Sequence, residues 1–377
     1  MVYLDNSATT KVCQKAAEKA LYMMTECFGN PSSLHTLGFK AEQEIKTARR
    51  IISGALSCRE GELFFTSGGT ESNNTALLGA AHAHRRRGNK IIVSAYEHSS
   101  VIEAARELET RGFEVTYIDP DKSGKISPDD VAKTVDDKTI LISVMLVNNE
   151  IGAVNDVALI AAAARRKNQK ILVHCDAVQA FGKIPVHTGR LGVDLLTVSA
   201  HKIHGPKGVG ALFIKKGTKI APLIFGGEQQ NKMRPGTENA ASIAAFGVAC
   251  DEAVKNMPSA YSRVKVLSSR LVNGLKEIEG IAINSAPDAC PYIVNFSSMA
   301  VKSETMLHFL EEREIYVSGG SACAKGSRSH VLTSLGLSNL AVDTAIRVSF
   351  SEDNTEADVD ALLVGVKDAL NTLQKIK

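Results

Sequence analysis

The 377-residue sequence lacks several features that would place it in particular classes of protein. No apolar run approaches the roughly 20 residues that a membrane-spanning helix needs, so no membrane segment is expected. The first residues, MVYLDNSATT, lack the basic start and apolar run of a secretory signal, which favours a cytoplasmic protein. Formal net charge is only +3, and the basic run at 85–87 is interpreted as a solvated helix end rather than a nucleic-acid patch.

Closely paired cysteines are also missing. The seven cysteines form no CxxC pair and are odd in number. In a chain without a visible signal they are interpreted as thiols in a reducing compartment, most of them small buried apolar residues. His201 and His204 lie three residues apart without nearby carboxylates, which is weak evidence for a metal, and no resident metal is predicted.

Apolar, β-branched runs alternate with helical patterns between about residues 60 and 215. The predicted strands are ELFFTS, KIIVSA, FEVTYID, TILISVML, KILVHCDA, DLLTVSA and GALFI, and the predicted helices include 71–87, 99–111 and 156–167. This alternation predicts an α/β fold with a mainly parallel sheet covered by helices on both faces. Polar and glycine-rich residues follow the strands, at the edge where open α/β sheets bind ligands.

The pattern changes after about residue 238. Residues 238–280 are predicted to be helical, with an interruption near Met257-Pro258 because proline kinks or breaks helices. The runs PYIVNFSS, IYVSGG and AIRVSF then mix with a helix at 303–313 and a last helix that opens on the capping-box pattern TEAD. We therefore predict a large domain at 15–256 and a smaller α+β domain formed by 1–14 and 257–377.

A glycine-rich turn, FFTSGGTESNN, leads from a predicted strand into a helix. Backbone N–H groups at such a helix start, here around Gly69 and Thr70, form an anion cradle. The pattern is neither GxGxxG nor GxxxxGK[ST], so a dinucleotide or a nucleoside triphosphate is not supported. A tight turn with a hydroxyl cap explains the same residues equally well.

Asp176 and Lys202 follow two successive predicted strands, in KILVHCDAVQ and SAHKIHGPKG. On neighbouring parallel strands they would face one crevice, whereas the alternatives are a helix cap or ion pair for Asp176 and a solvated surface lysine for Lys202. A lysine, a carboxylate and a phosphate cradle together are what pyridoxal phosphate requires. His98 could then stack on the cofactor ring and His201 could reach its phosphate.

Two further residues could carry chemistry. Arg347, in AIRVSF, offers a guanidinium that suits a substrate carboxylate, although an exposed edge-strand arginine is at least as plausible an interpretation. Cys323 lies in SGGSACAKGSRSH, where Lys325 and Arg328 favour a thiolate. A chance cysteine in a loop is the alternative.

Taken together, these motifs resemble those of the NifS/IscS-like cysteine desulfurases, which belong to the class V aminotransferase group of fold-type I pyridoxal-phosphate enzymes. The similar stretches cover nearly the whole chain and occur in one order: YLDNSATT, FGNPSSLH, TSGGTESNN, EHSSV, VNNEIG, DAVQ, SAHKIHGPKGVGAL, RPGTEN, SGGSAC and IRVSF. The resemblance implies a homodimer with its active site at the subunit interface.

The resemblance also implies a role for each matching residue. Lys202 would be the Schiff-base lysine, Asp176 the partner of the pyridine nitrogen, and Cys323 the nucleophile that takes sulfur from L-cysteine and leaves L-alanine. The other implied cofactor contacts are His98 on the ring, Gln179 on the phenolic oxygen, Gly69, Thr70, Ser199 and His201 on the phosphate, and Thr237 of the partner subunit. The implied substrate contacts are Asn30, Asn149 and Arg347.

Three departures from the family pattern bear on partners. GGEQQNKM stands where GGGQE is frequent, which places Glu228 near the implied interface, and SAHK replaces SGHK. The chain ends soon after its last helix, without the longer tail expected to dock an iron–sulfur scaffold, so the sulfur acceptor stays open. Cys323 could also contact a transient iron–sulfur cluster. Selenocysteine lyase, another class V activity and a non-catalytic sulfur carrier are the competing interpretations.

Overall fold

The strands and helices follow the predicted alternation. The computed structural model describes residues 1–319 and 328–376. Its strands are β1 (Val2–Tyr3), β2 (Leu63–Thr66), β3 (Lys90–Ser94), β4 (Glu114–Ile118), β5 (Thr139–Ser143), β6 (Leu172–Asp176), β7 (Leu195–Ser199), β8 (Gly210–Ile214), β9 (Ala282–Ile283), β10 (Ile293–Ser297), β11 (Ile315–Tyr316), β12 (Ser318–Gly319) and β13 (Ala345–Ser349). Its helices are α1 (Gln14–Thr25), α2 (Thr36–Leu56), α3 (Gly69–His84), α4 (Ser99–Thr110), α5 (Pro128–Thr134), α6 (Val157–Lys167), α7 (Thr188–Leu191), α8 (Ala240–Lys276), α9 (Ser303–Glu311), α10 (His330–Ser334), α11 (Asn339–Asp343) and α12 (Glu356–Thr372).

A seven-stranded sheet forms the centre of the molecule, in the order β2-β8-β7-β6-β5-β3-β4. Strand β8 runs antiparallel to β2 and β7, and the other neighbours are parallel, so the predicted mainly parallel sheet is confirmed. Strands β3, β5, β6, β7 and β8 are buried along their whole length. Such burial explains their continuous apolar runs, because helices cover both faces of a parallel sheet.

Alternate residues of one strand pack into different hydrophobic clusters, which shows the two covered faces directly. Leu195 of β7 packs with residues of α3 and α4. Its neighbour Leu196 packs with residues of α2 and α8, including Phe246. Successive side chains of a strand point to opposite faces of the sheet, so neighbouring residues reach different clusters. The carboxyl ends of β6 and β7 meet at one edge of the sheet, with Asp176 paired to Thr197.

A second, four-stranded antiparallel sheet has the order β12-β13-β10-β9. One hydrophobic cluster runs without a break from Phe213 of the large sheet to Val294 and Val348 of the small one. The division into 15–256 and the two remaining segments therefore stays a prediction. Within residues 1–319 and 328–376, no helix combines the length and apolar character needed to cross a bilayer.

The interruption predicted near Met257-Pro258 is wrong. Helix α8 continues through Pro258 as one helix of 37 residues. Proline removes one backbone hydrogen bond, from its own nitrogen to the carbonyl of Val254 four residues earlier. Both residues are exposed at this point, so the freed carbonyl can be hydrated and the helix does not have to end.

Candidate functional site

Ten of the sequence-predicted site residues line one cavity of about 380 Å³ at the carboxyl edge of the large sheet. They come from both sheets and from the loops between them. These residues are Gly69, Thr70, His98, Asn149, Asp176, Gln179, Ser199, His201, Lys202 and Arg347. A volume of this size lies within the range of small-molecule and cofactor sites.

Lys202 lies at the end of a single 3₁₀ turn, Ala200–Lys202, directly after β7. Its Nζ donates hydrogen bonds to the carbonyl oxygens of Ser7 and Ala8, the latter at 2.7 Å. Burial lowers the pKa of the Lys202 ammonium to about 7, and the nearby charges of Lys183 and Arg347 lower this pKa further. The solvated surface lysine is therefore wrong, since the side chain is partly buried and its amine is held by two backbone carbonyls in the cavity.

Asp176 ends β6 on the neighbouring strand and is almost fully buried. Its Oδ2 accepts a hydrogen bond from Asn73 Nδ2 at 2.7 Å, and its Oδ1 accepts one from the backbone N–H of Val178 at 2.9 Å. Neutral donors thus hold this carboxylate in the cavity without a direct ion pair among the described residues. The carboxylate can still take a cationic N–H partner from a ligand.

The glycine-rich turn opens helix α3, and Gly68 before it has a φ of 153°. This positive φ is accessible to glycine at little cost. The first N–H groups of α3 adjoin the Ser199 hydroxyl, whose Oγ is buried without a partner among the described residues. His201 lies beside them, and burial lowers its pKa to about 4, with Lys202 lowering it further. These donors and the helix dipole suit a phosphate.

His98 and Gln179 approach the cavity from two other loops. The Nδ1 of His98 accepts the backbone N–H of Ser100 at 3.1 Å, which caps helix α4. Burial lowers the pKa of His98, and the charge of Asp176 opposes that shift. The Gln179 amide donates from Nε2 to the Ser7 carbonyl at 2.9 Å. Both side chains are held in defined orientations.

Arg347 is only 3% exposed and lies on β13, which has neighbours on both sides. The alternative of an exposed edge-strand arginine is therefore wrong. Its Nη2 pairs with Asp5 Oδ1 at 2.9 Å, and its Nη1 donates to the Asn149 carbonyl at 3.0 Å. Arg347 Nε and Asn149 Oδ1 are buried without partners among the described residues. These polar atoms leave hydrogen-bonding capacity for a ligand, since buried polar groups are normally paired.

Two of the predicted residues that the structure describes, Asn30 and Thr237, do not line this cavity. Asn30 is exposed, and its Oδ1 accepts the backbone N–H of Ser32. Thr237 is also exposed and does not line the cavity of its own chain. Cys323 lies outside the described residues. Within the described parts of the chain, no group of three or more His, Cys, Asp or Glu side chains is arranged to hold a metal ion.

Sequence reasoning missed several residues of the cavity. Asn73 follows Thr70 by almost one helical turn, and this spacing could have placed it beside the glycine-rich turn. Glu150 and His330 also line the cavity. The Glu150 carboxylate accepts the Ser329 hydroxyl at 2.6 Å, and burial raises the pKa of Glu150 to about 7. No local sequence signal marks His330, which the chain brings in from far away.

Comparisons with known proteins match nearly the whole length of the chain. The profile of the Aminotransferase class-V family matches residues 2–362. A cysteine desulfurase IscS from Clostridium botulinum strain Hall is 42% identical over 368 residues, covering 96% of this chain and 92% of the relative. A solved NifS-like protein has a TM-score of 0.94 and 36% identity over 99% of this chain and 100% of its own. A structure titled SspA in complex with cysteine has a TM-score of 0.83 and 32% identity over 94% of this chain and 100% of its own.

Proposed function

Because this chain belongs to the class-V aminotransferase family, we propose that it is a cysteine desulfurase that uses pyridoxal phosphate to convert L-cysteine into L-alanine. The sulfur stays on the enzyme as a persulfide. The observation that carries the proposal is the enclosed Lys202 amine beside the buried Asp176 carboxylate in a cavity of cofactor size. Curated cysteine desulfurases that match nearly the whole chain support the choice of reaction.

The cavity residues fit pyridoxal phosphate by their chemistry. The unpartnered Ser199 hydroxyl and the start of α3 would hold the phosphate, together with Thr70 and His201. Asp176 would accept a hydrogen bond from the protonated pyridine nitrogen, and His98 would stack on the ring. Bound in this way, the cofactor would supply an electron-withdrawing ring for the Cα of the substrate.

Lys202 would have two tasks. Its amine would hold the cofactor covalently, and its lowered pKa favours the unprotonated form that this bond requires. When the substrate amine displaces it, the freed Lys202 would move a proton from the substrate Cα. The carbonyls of Ser7 and Ala8 would hold the free amine close to the cavity in this step.

Arg347 and Asn149 would bind the substrate carboxylate. The Arg347 guanidinium is already held by Asp5 and by the Asn149 backbone, so little side-chain freedom would be lost on binding. The unpartnered Nε of Arg347 would then gain an acceptor. Asn30, from an exposed loop, would assist from the interface.

Cys323 would take the sulfur atom. Its thiolate would form an S–S bond to the substrate sulfur while the Cβ–S bond of the substrate breaks. The electron pair of the broken bond would stay on Cβ, and Cβ would gain the proton that the Cys323 thiol lost, which completes the methyl group of alanine. The balance is cysteine plus enzyme thiol giving alanine plus enzyme persulfide, which needs no external oxidant.

The proposed assembly is a homodimer, in which Thr237 reaches the phosphate of the partner subunit. Large exposed apolar side chains support it, since they concentrate in residues 21–39 and 223–225. Large apolar side chains that are exposed close together in the chain are often covered by a partner. The persulfide would be delivered in the cytoplasm to an acceptor protein such as an iron–sulfur scaffold.

The proposal is tested by supplying L-cysteine and a thiol reductant, which releases the persulfide sulfur as sulfide, to the purified protein and measuring alanine and sulfide, with selenocysteine as the comparison substrate. Borohydride reduction beforehand should fix a phosphopyridoxyl group on the peptide that contains Lys202. We expect alanine and sulfur in equal amounts, and no reaction after reduction. Labelling of a different lysine, or no alanine from cysteine, would contradict the proposal.

A further inference from the structure

A second buried lysine, Lys183, lies beside the candidate site and has no task in the proposed reaction. It is 5% exposed, in the turn that follows β6, and it forms no ion pair with a carboxylate among the described residues. Burying a cation without an anionic partner is costly. A contribution to folding stability therefore does not explain why a lysine occupies this position.

The contacts of Lys183 supply one. Its Nζ donates a hydrogen bond to Gln179 Oε1 at 3.0 Å, and Gln179 Nε2 donates in turn to the Ser7 carbonyl at 2.9 Å. A lysine can only donate, so it selects the oxygen end of the amide. The nitrogen end of Gln179 consequently faces Ser7 and the cavity. The same Ser7 carbonyl also accepts a hydrogen bond from Lys202. The Gln179 side-chain amide and the Ser7 carbonyl therefore connect Lys183 to Lys202.

The charges around Lys183 agree with a role at the site. Its cationic neighbours are Lys202 and Arg347, and it lies 5.7 Å from the ring centre of Tyr292. Burial lowers the pKa of Lys183 to about 8, with Arg347 lowering it further and Cys290 opposing the shift. No carboxylate among the described residues pairs with this cation, so its favourable contacts are the Tyr292 ring and the directional hydrogen bond to Gln179.

We propose that Lys183 is a positioning residue that fixes the Gln179 amide with its N–H group toward the phenolic oxygen of the bound cofactor. The inference rests on the proposed function, because it requires pyridoxal phosphate in this cavity. A donor at that oxygen stabilises its anionic form and weakens proton binding at the adjacent lysine–cofactor nitrogen. Lys183 would thus set the protonation state of the resting enzyme without touching cofactor or substrate.

The test is a pH titration of the visible absorbance of the holoenzyme without substrate. Lys183→Met and Lys183→Gln have similar length and no charge, but only glutamine can donate to Gln179. We expect the midpoint to rise by about one pH unit in Lys183→Met and to stay within about 0.3 unit of wild type in Lys183→Gln. Lys90→Met is the matched control, since it removes another buried lysine, paired with Asp136, and should leave the midpoint unchanged.

An unchanged midpoint in Lys183→Met would overturn the role of Lys183. Equal shifts in both variants would also overturn it, because charge rather than the hydrogen bond would then be responsible. If Lys183→Met does not fold, Lys183→Gln alone decides the test. A midpoint that differs from wild type by a full pH unit in Lys183→Gln would overturn the role of Lys183. A wild-type protein that binds no pyridoxal phosphate would instead contradict the proposed function itself, and the inference with it.

Discussion

Lys202 has an environment unlike that of a solvated lysine, and this difference has a measurable consequence. Because its pKa is lowered to about 7, the unprotonated amine that attacks the aldehyde is abundant at neutral pH. We predict that the apoprotein combines with pyridoxal phosphate at a rate that rises with pH and levels off slightly above pH 7. Stopped-flow absorbance measures this rate, with Lys202→Ala as the uncoloured control. A rate that still climbs steeply through pH 9 would contradict the lowered pKa.

Arg347 is the residue for which the structure most changes the sequence-based interpretation. A charged hydrogen bond to a carboxylate contributes roughly 1.5–3 kcal/mol, so Arg347→Ala should raise KM for L-cysteine about 10- to 150-fold. The cofactor colour should persist, since Arg347 would bind the substrate and not the cofactor. Steady-state kinetics test this, with Arg270→Ala as control because that exposed arginine lies outside the cavity and pairs with Glu356 and Asp360. An unaltered KM would remove Arg347 from the substrate site.

At the scale of elements, the sequence predicted the strands of the large sheet closely and one helix incorrectly. Strands such as KIIVSA and GALFI are short, wholly buried and bounded by polar residues, so periodicity and composition locate them. Pro258 misled the prediction because the rule that proline breaks helices takes no account of whether the carbonyl four residues earlier can be hydrated, as it can at the exposed Val254. Helices α1 and α2 were not predicted either, and they bury a stripe of residues, including Ala41 and Ile45, against α8 and the core.

The continuous helix α8 leads to a stability prediction. A proline in a helix interior is unfavourable by about 3 kcal/mol relative to alanine, although it also restricts the unfolded chain. Pro258 is exposed, so Pro258→Ala should raise the free energy of unfolding by about 1–2 kcal/mol and leave activity unchanged. Urea unfolding measures the change, with Ser259→Ala at the next exposed position as control. A lower free energy of unfolding in Pro258→Ala would contradict this prediction and would show that Pro258 stabilises the folded protein.

Several site residues could not be predicted because long-range folding brings them in. Ser7 comes from the N-terminus and His330 from the C-terminal part, yet both line the same cavity as Lys202. Asp176 and Lys202 could be predicted, since each ends a recognisable strand and neighbouring parallel strands end at one edge. The ion pair of Arg347 with Asp5 joins residues 342 positions apart, which no local pattern reports.

At the scale of the whole molecule, the proposed dimer accounts for both exposed apolar segments and the distance of Thr237 from its own cavity. Phe28 and Phe225 are among the exposed side chains of these segments. We predict that the double variant Phe28→Asp/Phe225→Asp sediments as a monomer and binds pyridoxal phosphate weakly. Val266→Asp, on an exposed position outside both segments, is the control and should remain dimeric. A wild-type monomer with a full complement of cofactor would refute the dimer.

The account as a whole depends on sulfur transfer from L-cysteine to one cysteine of this chain. The most direct measurement is a single turnover with one equivalent of L-cysteine, followed by acid quenching, quantification of alanine and peptide mass spectrometry. The account predicts one alanine per active site and the added mass of one sulfur atom on the peptide containing Cys323. Cys58→Ala and Cys290→Ala should behave like wild type, whereas Cys323→Ala should stay yellow and form almost no alanine. Alanine released at a near wild-type rate by Cys323→Ala would contradict the account.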